Sequence, residues 1–251
     1  MSFITYLLAG LFLPLFPLSM LFNVLYARLR NPFMRSLLLL LWPQIGLAVI
    51  AASGVTMPDW MVSWGLATSL LYALRALALR ELGLWTSFVG TSAWALLWVL
   101  LGNGGTLLQL RLYGFGISVP LLLLMLLSAG LVKRFGAAYI GLYGGLAQSI
   151  PRFAGILVVV VLAIIATPLF PTFFAMLSMI LKTIPAAPLV AAGVAAVWLL
   201  WSWAGARLLQ GLIVGPVRAA VPDLSQAALW LYIIALGGLI IAGVYGSESM
   251  I

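Results

Sequence analysis

Long apolar runs, separated by short stretches that collect the few charged and turn-forming residues, set the pattern of this chain. With roughly 20 apolar residues needed to cross a bilayer, the runs predict spans at 4–26, 36–55, 60–79, 84–101, 106–132, 153–169, 172–184, 187–213 and 225–245. That is about nine transmembrane helices, an all-α polytopic membrane protein forming a single transmembrane domain over 1–251, with little chain left for anything else. The run at 172–184 is short for a full crossing. Segment 133–152 departs from the pattern: it is Gly-rich and amphipathic, and reads either as a surface helix or as a linker between two helical groups. The apolar run right after Met1 has no basic segment before it and no small-residue cleavage site, so it reads as a first span rather than a removed signal.

Composition strengthens this reading. Of 251 residues 65% are hydrophobic and 6% charged, against about 25% charged in ordinary globular domains; a soluble fold could not solvate such a surface. The net charge of +8 would suggest nucleic acid in a soluble protein. Here the twelve basic residues lie in loops and at helix ends, which points to anionic lipid head groups instead and to no nucleic-acid partner. They fall in alternate connections: Arg28, Arg30 and Arg35, then Arg75 and Arg80, then Lys133, Arg134 and Arg152, then Lys182. The positive-inside rule makes the first of these loops cytoplasmic, with the N-terminus outside and, for nine crossings, the C-terminus inside.

The absence of Cys and His removes the usual metal ligands and a Cys or His nucleophile or base, so no metal and no cofactor is expected. The four acids, Asp59, Glu81, Asp223 and Glu248, all fall at predicted loops or ends. An intramembrane enzyme is disfavoured, since the spans hold no paired acids and no nucleophile with an evident base.

Polar positions inside the apolar runs are few, and they are the candidate site: Gln44, Gln109, Arg111 and Tyr113. At loops and interfaces stand Arg75, Arg80, Glu81, Lys182 and Arg207. Prolines 14, 17, 43, 120, 168 and 171 lie within or beside apolar runs, and Tyr113-Gly-Phe-Gly116 interrupts the fifth. This is the pattern of discontinuous helices in transporters, or of ordinary kinking. Arg111 cannot lose its charge; it either snorkels to the interface or binds an anion or a carboxylate. Gly141-xxx-Gly145 and Gly211-xxx-Gly215 fit close helix contacts, and Trp60, Trp64 and Trp85 sit where aromatic belts form.

Five stretches in order resemble the antiporter-like membrane subunits shared by respiratory complex I, Mrp-type cation antiporters, membrane-bound hydrogenases and related bicarbonate-uptake complexes. Pro17 to Pro32 is similar to the family's P-x-H-x-W-L…A-P, followed by Leu41-Trp-Pro-Gln-Ile-Gly-Leu47 where the family has L-L-K-x-G-x-Y. Ala73-Leu-Arg-Ala-Leu-Ala-Leu-Arg-Glu-Leu82 resembles A-L-x-A-L-x-Q-x-D-L, with Glu81 in the acidic place. Gly105 to Ser118 resembles G-A-x-x-x-x-x-x-H-A-x-x-K-A, with Tyr113 near the histidine and Ile117 near the lysine. Gly144-Gly-Leu-Ala-Gln-Ser-Ile-Pro151 and Ala166-Thr-Pro-Leu-Phe-Pro-Thr-Phe-Phe174 resemble G-G-L-A-x-x-x-P and G-L-P-x-x-x-G-F. Arg207-Leu-Leu-Gln-Gly-Leu-Ile-Val-Gly-Pro216 and Pro222-Asp-Leu224 resemble Y-x-x-R-x-x-x-x-x-F-F-G-P and the D-L that opens the last helices.

The resemblance implies the C-terminal two thirds of an antiporter-like subunit, starting near its sixth helix, in a cell (inner) membrane. The family is thought to pass protons along mid-membrane lysines, histidines and a glutamate. The matching places here hold Gln44, Gly83, Tyr113 and Ile117, none of which changes charge near neutral pH. The expected function is therefore a non-conducting accessory or scaffold subunit. It would dock beside a full-length antiporter-like subunit in a complex coupling proton or cation translocation to redox chemistry or solute uptake, as a non-catalytic part of an NADH:quinone oxidoreductase-like or ion-uptake assembly. The second reading is an independent transporter or channel for an anion or neutral solute, inorganic carbon included, built on a broken fifth helix around Arg111.

Overall fold

In a computed structural model, described over residues 3–53, 58–142, 144–216 and 221–250, the chain is all α, with no strand among the described residues. The helices are α1 (Phe3–Phe12), α2 (Ser19–Arg28), α3 (Pro32–Ser53), α4 (Trp60–Ala78), α5 (Leu82–Ala95), α6 (Leu97–Gly102), α7 (Leu107–Phe135), α8 (Leu146–Ser149), α9 (Pro151–Ile164), α10 (Pro171–Thr183), α11 (Pro188–Ile213) and α12 (Gln226–Met250). Local signals place many of the ends. Prolines stand at the first position of α9, α10 and α11, where the missing N–H has no partner to lose. Thr106 and Gln109 form a capping box at the start of α7, and Gly136, with φ of 80°, closes its end in the left-handed conformation.

Six apolar helices are long enough to cross a membrane, α5 and α6 counting as one, with two shorter apolar helices at Pro151–Ile164 and Pro171–Thr183. All nine predicted apolar stretches are therefore helical, but two of them form one passage. At about 1.5 Å per residue, α9 and α10 are each too short for a hydrocarbon core of about 30 Å, and the two do not pack side by side. Together they run antiparallel to α7. The start of α9 meets the end of α7 through Asp223, whose carboxylate accepts from Arg152 N and Phe153 N (2.8 and 3.0 Å) and whose carbonyl accepts from Arg134 (3.3 Å). The end of α10 meets the start of α7, where Lys182 Nζ donates to Gln109 Oε1 (3.3 Å). The first span is likewise interrupted, between α1 and α2, at a cis Phe16–Pro17 peptide.

Counting each interrupted pair once gives eight passages, which returns the C-terminus to the side of the N-terminus. Nine separate crossings would put the two termini on opposite sides. The basic residues then sort sharply: Arg28, Arg30, Arg35, Arg75, Arg80, Lys133, Arg134, Arg152 and Arg207 lie on one face, and only Arg111 and Lys182 of the described basic residues lie towards the other.

The 133–152 segment, described apart from residue 143, joins the end of α7 through the four-residue α8 to the start of α9. After α7 ends it folds back on two neighbours: Ile140 N donates to Arg80 O (2.7 Å) and Gly141 N to Gly211 O (3.2 Å), with Leu82 N bonded to Ala138 O (3.0 Å). Gly145, with φ of 76°, lies so near Gly215 and Pro216 that a Cβ there would sit 2.6 Å from the Gly215 carbonyl. The two GxxxG patterns thus meet each other in a loop contact rather than mediating helix packing.

Candidate functional site: two interrupted spans and buried neutral polar pairs

An interrupted helix leaves carbonyls that the hydrocarbon cannot satisfy, so each must find a donor within the protein. At the first interruption the donors are tryptophans from three other passages. Trp42 Nε1 of α3 reaches Leu11 O (3.1 Å), Trp98 Nε1 of α6 reaches Leu13 O (2.9 Å), and Trp64 Nε1 of α4 reaches Phe16 O (2.7 Å). Thr68 Oγ1 accepts from Phe16 N (3.1 Å). Trp64, expected as a belt anchor, is thus a hydrogen-bond donor to the break. Gly46 lets α3 lie against this break; a Cβ there would stand 2.8 Å from Leu13 Cγ and 3.0 Å from its backbone N.

At the second interruption, between α9 and α10, most donors are local. Thr172 Oγ1 donates to Ala163 O (2.6 Å) and Thr167 Oγ1 to Leu162 O (3.0 Å), and Trp198 Nε1 of α11 donates to Ile165 O (3.0 Å). Ala166 (φ 58°) and Leu169 (φ 85°) are held in the left-handed region, which disfavours a Cβ. Gly243 of α12 and Gly116 of α7 let neighbouring backbones reach this break, beside Leu169–Phe170 and Pro171 respectively.

The core also holds several small groups of buried neutral polar side chains. Ser19 and Tyr72 share a hydrogen bond (2.9 Å), Asn23 Nδ2 donates to Thr91 Oγ1 (3.1 Å), and Ser69 and Ser92 are paired (3.0 Å). Trp201 Nε1 donates to Ser92 Oγ (2.9 Å), Trp94 Nε1 to Ser118 Oγ (3.2 Å), and Tyr113 OH to Met176 Sδ (3.3 Å). Every donor and acceptor in this set is uncharged at neutral pH. Serine, threonine and tryptophan pairing had no signal in hydropathy, because each of these residues passes for an ordinary member of an apolar run.

The positions singled out in the sequence do not converge on one site. Gln44 packs on α7 at Gly114 and donates a long bond to Arg111 O (3.4 Å). Tyr113 is buried beside Met176. Gln109 belongs to the capping box and accepts from Lys182. Arg111 lies in the second turn of α7, exposed, near the outer end of that helix. The expected break at Tyr113–Gly116 is absent: α7 is continuous from Leu107 to Phe135, through Pro120. Gly114 and Gly116 serve close approach, to Gln44 and Pro171, so the picture of a broken fifth helix around Arg111 is corrected. Pro43 is likewise inside a continuous helix. On the basic face, Arg75 stacks over Phe88 (5.7 Å) and Glu81 lies beside Arg35 near Gly83. Arg80 and Arg207 line a cleft between α4, α11 and residues 139–142.

No protein-family model and no curated protein matches the sequence. Solved structures do match its fold. A chain of respiratory complex I from Thermus thermophilus with bound NADH superposes with a TM-score of 0.82 at 21% identity, over 94% of this chain and 53% of that one. A chain of the Mrp complex from Dietzia sp. DQ12-45-1b gives 0.82 at 15% identity, over 96% and 55%. A chain of the membrane-bound sulfane sulfur reductase, an archaeal respiratory membrane complex, gives 0.83 at 16% identity, over 96% and 52%. The fold is that of the antiporter-like subunits of such complexes, and the chain spans about half the length of each of those three.

Proposed function

We propose that this protein is a non-conducting accessory subunit of a multi-subunit membrane complex that couples proton or cation translocation to redox chemistry or solute uptake, docked beside a full-length antiporter-like subunit. Support for a complex comes from the shared fold. Support for the non-conducting role comes from one observation: the buried polar pairs among the described residues are built from hydroxyls, amides and indoles, with Gln44 in the place where the resembling family carries lysine. A relay that works by titration needs a group whose charge changes, and these groups supply none. They instead fix the helices around the breaks, which is what a scaffold requires. The basic face, by the positive-inside rule, lies in the cytoplasm, and the exposed apolar flanks of α3 (Phe33, Leu37, Leu41) and α12 (Leu231, Ile234, Ile241) are surfaces that lipid or a neighbouring subunit covers.

The test has two arms. Tagged protein purified from native membranes in mild detergent should carry a full-length antiporter-like subunit at fixed stoichiometry, identified by mass spectrometry. Purified protein alone in liposomes, under an imposed pH or cation gradient, should give no flux above empty vesicles. Isolation as a folded, solitary protein defeats the accessory role, and flux from the protein alone defeats the non-conducting one.

A further inference from the structure

The cleft between α4, α11 and the 139–142 loop has a volume of about 570 Å³ and opens on the basic face. Its polar lining is cationic: Arg80 and Arg207 contribute to it and no acid does. Among the described residues neither guanidinium has a hydrogen-bond or ion-pair partner, whereas Arg35 and Arg134 are held by backbone carbonyls. The floor is apolar, formed by Ala76, Leu77, Ala204 and Leu208.

The helix geometry continues this site into the membrane. Residues four apart share one face of a helix, so Leu199, Trp203 and Arg207 form one stripe along α11, and both apolar members are exposed, at 69% and 58%. Gly193 lies against Leu66 near the starts of α11 and α4, and Ala204, Arg207 and Leu208 share the cleft with Ala76 and Arg80 further along, so the two helices run in the same direction and Arg207, six residues before the end of α11, stands level with Arg80 just beyond the end of α4. An unpaired cationic mouth at interfacial depth, leading to an apolar stripe that descends along a helix, matches an amphiphile with an anionic head and an extended tail. A neighbouring cleft of about 430 Å³, lined by Arg30, Arg35 and Lys133, differs in two respects. Glu81 lines it as well, and Arg35 is already engaged with Leu29 O (2.6 Å).

We infer that the Arg80–Arg207 cleft is a specific site for the phosphate head group of an anionic phospholipid, with an acyl chain lying along Leu199 and Trp203. Two guanidiniums more than neutralise the single charge of a phosphodiester and offer its oxygens fork-shaped donor pairs. The apolar stripe is what selects a lipid over free phosphate.

Native mass spectrometry of the detergent-purified full chain, with added phosphatidylglycerol, phosphatidylcholine or inorganic phosphate, tests this. One phosphatidylglycerol should stay bound at collision energies that strip phosphatidylcholine. Arg80→Gln with Arg207→Gln should lower its occupancy by about tenfold, while Arg28→Gln with Arg152→Gln, an equal charge change on the same face, should leave it unaltered. In the wild-type protein, a photoactivatable phosphatidylglycerol should label peptides containing residues 76–80, 139–142 or 199–208, a readout that needs no variant to fold. Equal losses in both double variants, labelling spread evenly over the basic face, or displacement of the lipid by millimolar inorganic phosphate would each overturn the assignment.

Discussion

The two interrupted spans face the same physical problem and solve it differently. The first draws its donors from α3, α4 and α6, so its geometry exists only once three other passages are in place. The second is closed mainly by threonines within ten residues of the carbonyls they cap, with one outside donor in Trp198. It keeps two non-glycine residues in the left-handed region. A break satisfied locally depends less on its neighbours, while a break satisfied by tertiary donors ties helices together. The first is therefore the structural knot of the α1–α6 half.

Substitutions can break this comparison, beginning with the most damaging. Gly243→Ala sets a Cβ against Leu169 O, Phe170 C and Pro171 N, all backbone atoms that cannot rotate away. We expect a loss of ~3 kcal/mol, as for overpacking that forces backbone movement, measured by denaturant titration in detergent micelles; a loss below a third of this would show that α12 floats free of the second break. Gly46→Ala meets Leu13 and Phe12 at 2.8–3.0 Å, partly side chain, and should lose ~2 kcal/mol by the same titration.

The indole donors separate the two breaks directly. Trp98→Phe leaves Leu13 O buried without its donor and should lose about 1.5 kcal/mol. Trp198→Phe, at the break with local threonine donors, should lose about 1 kcal/mol. Equal or reversed losses would contradict the distinction between tertiary and local closure. The smallest effect is a gain: Ala166→Gly relieves a left-handed alanine and should raise stability by ~0.5 kcal/mol, the strain removed being partly offset by a more flexible unfolded chain. A loss there would mean the alanine methyl, buried at this turn, contributes packing that outweighs the strain.

Much of the architecture was legible in the sequence, because hydropathy is a sum over neighbours along the chain. All nine apolar stretches proved helical, and the basic connections marked one face. The interruption at Pro14–Pro17 and that at Pro168–Pro171 followed from proline's missing donor and restricted backbone. The same signal does not interrupt the helices at Pro43, Pro120 or Tyr113–Gly116, where Gly114 and Gly116 instead let Gln44 and Pro171 approach closely. Of the candidate polar positions, Gln44, Gln109 and Tyr113 have hydrogen-bond partners, but those partners lie in different places.

By itself the sequence determined that the chain crosses a membrane many times, that its charge lies on one face, and that its apolar runs hold few ionisable groups. Only the tertiary structure decided that α9 and α10 together run the length of α7 and which side chains satisfy the open carbonyls. The reason is distance along the chain. The indoles that cap the two breaks come from 31 to 85 positions away. A tryptophan in an apolar run has the same composition whether its N–H meets a lipid interface or a carbonyl inside the protein.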